Sequence, residues 1–272
     1  MCTTCGCGDP SGTRVGVVHQ HGDGEVHLHP HPAAACPPNG ATRTVQIEHD
    51  ILERNDALAA ANRRWLADRH ILALNMMSSP GAGKTTLLQR TIREIAHARP
   101  VAVIEGDQET DLDAARIRAT GVPVVQINTG AGCHLDADML RRALEALAPA
   151  DHSVVFVENV GNLVCPALFD LGEAARVVVI SVTEGDDKPL KYPHMFAAAD
   201  LLVINKIDLL PSVDFDVERC TAHARRLNTS LEVLPLSVTR GDGLAAWTRW
   251  VAVHTVSPAP HGRPLTLPNG EV

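Results

Sequence analysis

The sequence predicts an α/β fold, a mostly parallel sheet flanked by helices, preceded by a disordered arm rich in cysteine and histidine. Three observations carry that prediction. An apolar run, Ile71 to Met77, stops in a glycine-rich turn, and Lys84-Thr85-Thr86 then opens a segment with helical apolar spacing at Leu87, Leu88, Ile92 and Ile95. A second apolar run, Ser153 to Val157, ends in Glu158 with Gly161 three residues on. A third, Leu201 to Ile204, ends in Asn205-Lys206-Ile207-Asp208. Apolar runs that end in polar loops and alternate with helical patterns are the signature of parallel strands with crossover helices.

The turn Ser78 to Gly83 reads as a phosphate cradle. Gly81, Ala82 and Gly83 let backbone N–H groups turn inward around an anion, and the following helix N-terminus adds its partial positive charge. Lys84 reaches the outer phosphates, Thr85 is placed to ligate Mg²⁺, and Thr86 continues the cradle. The strict pattern asks for glycine where this chain has Ser78, but Gly81 and Gly83 supply the tight part of the turn.

In chain order, residues 1–42 form the expected arm. Cys2, Cys5 and Cys7 can converge on one ion without help from a fold, and thiolate suits Ni(II) or Cu(II) in a planar sulfur–nitrogen set. A structural zinc or redox cysteines are the alternatives. His19, His21, His27, His29 and His31 sit among Gly and Pro and read together as a metal buffer, against a solvated linker. Thr44 to Arg69 carries Ile47, Ile51, Leu52, Leu58 and Leu66 between charges, one amphipathic helix or two short ones.

The phosphate-loop helix is expected over Lys84–His97, ended by Pro100. A short strand, Val101–Ile104, leads into an acidic loop in which Asp107 is the preferred carboxylate for Mg²⁺ or its water shell. A helix over Asp111–Ala119 and a strand over Val122–Ile127 follow, and Cys133 and His134 fall at the next strand-to-helix junction. Glu158 would order Mg²⁺ or the attacking water, and Gly161 permits close backbone approach to a γ-phosphate. Cys165 lies just beyond, a third soft ligand that can join Cys133 and His134 in a second metal site. Arg176–Val182 is a further buried strand. In the tetrad after Ile204, the Asp208 carboxylate can accept hydrogen bonds from guanine N1–H and N2–H, which adenine does not offer. Asn205 and the stem of Lys206 would orient and cover the base. The strand Leu231–Leu236 ends in Ser237-Val238-Thr239-Arg240-Gly241, a backbone cap for the guanine carbonyl, and a last helix over Gly243–Val253 buries Leu244, Trp247 and Val251. The domain organisation is thus 1–42 arm, 43–255 nucleotide-binding domain and 256–272 Pro-rich tail.

Composition excludes several classes. A formal charge of −8 argues against a nucleic-acid surface. No apolar run reaches the roughly 18 residues of a membrane span, and the N-terminus lacks the basic and apolar regions of a signal peptide, so a cytoplasmic protein is expected. Seven cysteines in unequal clusters fit metal-binding thiols in a reducing compartment.

Taken together, Cys2 to Cys7, Ser79 to Thr86, Glu105 to Gln108, Gly132 to Asp136, Glu158 to Cys165 and Asn205 to Asp208 resemble the HypB family, the nickel-inserting GTPases of nickel–iron hydrogenase maturation. The resemblance covers nearly the whole chain and implies a SIMIBI-type P-loop GTPase that uses GTP/GDP, Mg²⁺, Ni²⁺ and Zn²⁺. It implies a GTP-dependent homodimer, a HypA-type nickel/zinc protein as partner, and the hydrogenase large subunit precursor as recipient. Cys2, Cys5 and Cys7 would correspond to the tight nickel site, and Cys133, His134 and Cys165 to a weaker site at the dimer interface. A nickel-storage protein with a slow regulatory GTPase, or an accessory GTPase for another nickel enzyme such as urease, is the alternative reading.

Overall fold

The computed structural model describes residues 17–20, 26–29, 39–107, 112–130 and 132–254. The chain divides into two compact units, Met1–Arg54 and Asn55–Val272. In the first, strands β1 (Val17–Gln20) and β2 (Val26–His29) pair antiparallel with His19 opposite His27. This hairpin adds local order that the reading of residues 1–42 as an arm did not contain. Helix α1 (Asn39–Asp68) is one continuous helix, which settles the choice left open between one and two.

The second unit is built on seven parallel strands. In chain order its elements are β3 (Leu72–Ser78), α2 (Lys84–Ile95), β4 (Val101–Asp107), α3 (Leu112–Arg118), β5 (Val124–Asn128), α4 (Ala137–Leu147) and β6 (Val154–Gly161). They are followed by β7 (Ala175–Ser181), α5 (Lys188–Lys191), α6 (Pro193–Ala198), β8 (Leu201–Asn205), α7 (Val217–Leu227), β9 (Glu232–Pro235) and α8 (Leu244–His254). The sheet order is β5-β4-β6-β3-β7-β8-β9, and every pairing is parallel. The sequence predicts a mostly parallel sheet; this one is wholly so. Parallel strands need both faces covered, which explains why β3 and β8 are buried at every position.

One face carries Leu74, Met76, Phe156 and Val179 against α2 and α8. Val251 and Leu244 of α8 are buried there as expected, and Trp247 is fully enclosed, its indole N–H donating to Thr91 Oγ1 of α2 at 2.7 Å. The other face has two clusters, one around Leu140, Leu144 and Val157 beneath α4, the other around Phe196, Ile180 and Cys220 beneath α6 and α7. Burial pushes the Cys220 thiol up to about 12, so this cysteine is an inert core residue.

Two strands run further than the sequence suggests. β4 continues past Ile104 to Asp107 because Glu105, Gly106 and Asp107 stay in register with Gln126, Ile127 and Asn128 of β5. β6 continues past Glu158 to Gly161, with a register shift against β3 between Met76 and Ser78. The first part of the expected acidic loop is therefore the end of a strand. The extension of β4 brings Glu105 and Asp107 to the carboxyl edge of the sheet, where open α/β sheets hold their ligands.

Because α8 seats α2 through one enclosed indole, Trp247→Ala is expected to cost about 3–5 kcal/mol of unfolding free energy, as deletion of a buried aromatic does. Urea unfolding followed by circular dichroism checks this.

Candidate functional site

The loop between β3 and α2 has the tight glycine turn that the sequence predicts. Gly81 (φ 75°) and Gly83 (φ 96°) both occupy the left-handed region. At Gly83 a side chain would in addition collide with Asn205 Nδ2. The loop borders a cavity of about 460 Å³, together with Glu105, Asp107, Arg116, Glu158, Gly161 and Lys206. The cavity is large enough for the phosphates and sugar of one nucleotide.

Glu158 lines this cavity. Its Oε1 accepts from Lys84 Nζ at 2.9 Å and from Thr85 Oγ1 at 2.6 Å. The residue is 1 % exposed and its Oε2 has no hydrogen-bond partner. A buried carboxylate oxygen left without a partner costs free energy, and here it lines the place where a cation and phosphates would go. Glu105 also has an unpartnered buried Oε2, and burial, with the negative charges of Glu158 and Asp107, raises its pKa from 4.5 to about 8. The hydroxyl of Thr85 and these hard carboxylate oxygens fit magnesium. The sequence singles out Asp107 from this strand and passes over Glu105. Alternation along β4 puts Glu105 and Asp107 on the same face, and that signal becomes readable only once the strand is known to continue.

The guanine loop is tied to the phosphate loop. Lys206 sits in the left-handed region (φ 62°) and its Nζ donates to Gly81 O at 2.7 Å. Asn205 is buried, donating to Ala82 O at 2.8 Å and accepting from Lys206 N and Val238 N. These bonds join the two loops. Ser237 is placed beside the same tetrad. Its N–H donates to Asp242 O, and its hydroxyl holds Asp208 Oδ1 at 2.6 Å. Ser237 therefore orients the aspartate whose other oxygen remains to read a base.

Arg116 of α3 carries no mark in the sequence. It borders the cavity and donates to Thr86 Oγ1 and Gln89 Oε1, which brings a guanidinium to the first turn of α2. A lone arginine in a helix with no motif around it gives no signal of that placement.

Cys133, His134 and Cys165 come together. One ligand atom from each lies within 4.8 Å of the others, and all three residues are half-buried. Cys133 Sγ is 3.7 Å from His134 Nδ1, and the imidazole stacks on Phe169 with centroids 3.9 Å apart. Burial lowers the His134 pKa, opposed by the charge of Asp136, and so favours the neutral imidazole that a metal needs. Two sulfurs and a nitrogen are a soft set suited to zinc or nickel. This is the one such group of three or more among the described residues. Cys2, Cys5, Cys7, His21 and His31 lie outside the described residues. His19, His27 and His29 are placed only by strand register.

A phosphate loop, a carboxylate at the end of the adjacent strand and an aspartate positioned to read guanine define a P-loop GTPase. The model of the CobW/HypB/UreG nucleotide-binding domain matches residues 72–235. A hydrogenase maturation factor HypB of Azotobacter vinelandii is 52% identical over 278 residues, covering 92% of this chain and 91% of its own length. The HypB of Escherichia coli K12 is 46% identical over 92% of this chain and 98% of its own. Among solved structures, HypB of Helicobacter pylori in complex with nickel has a TM-score of 0.71 at 35% identity, covering 77% of this chain and 100% of that one. HypB of Archaeoglobus fulgidus has the same TM-score at 39% identity, covering 75% and 100%. The chain belongs to the CobW/HypB/UreG family, and within it to the HypB proteins.

In the protein free of nucleotide and magnesium, Glu105 stays protonated up to about pH 8, whereas the unfolded chain ionises it near 4.5. Folding then takes up a proton across that window, so stability falls as pH rises through it. Glu105→Gln is expected to flatten the slope and to be most stabilising near pH 8, as read by urea unfolding at pH 5 and pH 8. Asp208→Asn removes a charge-assisted acceptor worth about 1.5–3 kcal/mol, roughly 10- to 150-fold in GTP affinity. The amide can still pair with a base carrying a carbonyl at C2, so xanthosine triphosphate should bind the variant more tightly than GTP does. Fluorescent-nucleotide titration reads both.

Proposed function

We propose that this chain is a GTP-hydrolysing nickel metallochaperone that promotes nickel insertion into the large subunit of a nickel–iron hydrogenase. The observation that carries the reading is the Cys133, His134 and Cys165 cluster, which is set on loops adjoining the strand that ends in Glu158 and Gly161. Membership of the HypB proteins supports it.

In the protein without nucleotide, Lys84 and Thr85 share Glu158 Oε1. Incoming phosphates compete for Lys84, a cation whose present partner is buried, and so release the carboxylate. Thr85, Asp107 and Glu158 would hold magnesium, which would supply positive charge against that developing on the outer phosphates. Glu158 also orders the attacking water, and Gly161, whose added Cβ would lie 3.4 Å from Pro80, lets the strand end approach the phosphate loop closely. Asp208, held by Ser237, selects guanine, and Asn205 and Lys206 transmit base occupancy to the phosphate loop.

The domain-level reading is that residues 1–42 are a metal-binding arm, 43–255 the GTPase domain and 256–272 a Pro-rich tail. Cys2, Cys5 and Cys7 form the tight nickel site, the histidines from His19 to His31 buffer the metal, and Cys133, His134 and Cys165 take nickel or zinc. The working assembly is a GTP-dependent homodimer in the cytoplasm, with a HypA-type zinc protein and the hydrogenase large subunit precursor as partners. Among the described residues, no helix is long and apolar enough to cross a membrane.

Nickel titration of the intact chain, of Cys2/Cys5/Cys7→Ala and of Cys133/Cys165→Ser, each with GDP and with a non-hydrolysable GTP analogue, tests the proposal. The arm variant should lose the tighter site, and the domain variant should lose a weaker, nucleotide-sensitive one by at least about tenfold, the factor that 1.4 kcal/mol represents. Nickel binding indifferent to both the cysteines and the nucleotide would remove the metal-delivery function.

A further inference from the structure

Gly161 stands between two asparagines, and both reach out of the nucleotide site. Asn159 Oδ1 accepts from Leu135 N at 3.2 Å and from Val160 N at 2.9 Å, while its Nδ2 donates to Asn75 Oδ1 at 3.2 Å on the phosphate-loop strand. Asn162 Nδ2 donates to Cys133 O at 3.4 Å, and its Oδ1 accepts from Val164 N at 2.8 Å. The two bonds to the first metal loop fall on either side of His134, at Cys133 and Leu135. The bond to Val164 fixes the turn immediately before Cys165. All three members of the metal cluster therefore hang from one four-residue stretch, Asn159 to Asn162, whose glycine packs on Pro80 of the phosphate loop. A third contact reinforces the link: a Cβ at Gly106, between Glu105 and Asp107, would lie 2.8 Å from Leu135 Cδ2, so the metal loop is seated on the strand that lines the cavity.

We propose that Asn159 and Asn162 are positioning residues that convert the nucleotide state at Gly161 into the spacing of Cys133, His134 and Cys165. The inference rests on the function proposed above and names the residues that carry its coupling. Any shift of Gly161 toward or away from the phosphates pulls on the two carboxamides that flank it in the chain. The loops on either side of His134 must then move with them. Asn159 is buried and tied to β3, which makes it the fixed end of the linkage. Asn162 is half-buried and nearer the ligands, which makes it the moving end. A plain structural role would differ in kind, since an asparagine that only closes a turn weakens metal binding equally in every nucleotide state.

The test uses the full chain carrying Cys2/Cys5/Cys7→Ala, so that nickel(II) reports the domain site through its thiolate charge-transfer absorption. Nickel affinity is measured with GDP and with a non-hydrolysable GTP analogue. Asn159→Ala, Asn162→Ala and Asn162→Asp are compared with the parent. Asn162→Asp keeps the acceptor for Val164 N, loses the donor to Cys133 O and adds a negative charge, so it is read only through the ratio of the two nucleotide states. Couplings between two sites are commonly about 5- to 150-fold. The parent should fall in that range, while all three variants should bind nickel with their two nucleotide states within about twofold of each other. Should Asn159→Ala not fold, the two Asn162 variants, at a half-buried position, carry the comparison. A folded Asn162 variant whose ratio equals that of the parent overturns the proposal. A parent with no nucleotide dependence overturns the proposed function instead.

Discussion

The buried carboxylate of Glu158 holds Lys84 and Thr85 through a single oxygen and leaves its other oxygen unsatisfied, and the arrangement of the nucleotide site depends on it. A buried ion pair of this kind adds little net stability, because the desolvation of both charges offsets their attraction. What it does is pre-form the site: lysine, hydroxyl and carboxylate are already within reach of one another before any ligand arrives. The neighbouring Glu105 remains protonated near neutral pH for a related reason, since burial and the charges of Glu158 and Asp107 oppose its ionisation more than Lys84 favours it. A divalent cation would relieve both.

Polar groups are satisfied with the same closeness behind the metal loop. Asn55 and Asn62 of α1 clamp Ala137, one accepting from its N–H and the other donating to its carbonyl, and Asn62 also donates to Leu171 O. Arg63 and Arg176 converge on Asp170, and Glu173 accepts from Asn75, Leu171 N and Arg176. Each bond satisfies a backbone or carboxylate group that the packed α/β layers would otherwise leave without water. The result is that the start of α4, just after the metal ligands, is fixed from behind while the loop in front is joined to the nucleotide strand.

Much of the site is legible in the residues themselves. Gly83, Lys84 and Thr85 follow from backbone chemistry at the end of an apolar strand, and Asp208 from the hydrogen-bond pattern of guanine. Cys133, His134 and Cys165 each fall on a loop at one edge of the sheet, and the fold brings them to a common point. Asn205 and Ser237 are located by their motifs, and the fold adds their hydrogen-bond partners. Asn205 ends β8 and Ser237 lies in the loop after β9, and only the fold shows that their hydrogen bonds go to Ala82 O and to Asp208. Arg116 gives no usable signal of its placement, because nothing in its own neighbourhood distinguishes it from other polar residues. Glu105 and Asn159 sit in stretches that carry the family resemblance but show their partners only in the fold.

The alternation of strands and helices, the phosphate loop and the residues expected to meet nucleotide can all be read from short stretches of chain. They rest on local periodicity and on side-chain chemistry, which such stretches encode. Folding in three dimensions settles the rest: how far β4 and β6 run, and which carboxylate lies deepest. It also settles that Asn159 and Asn162 bracket His134 from positions 24 and 29 residues along the chain from their partners. Those outcomes depend on register between parallel strands, and register is set by packing on both faces of the sheet, which no single segment contains.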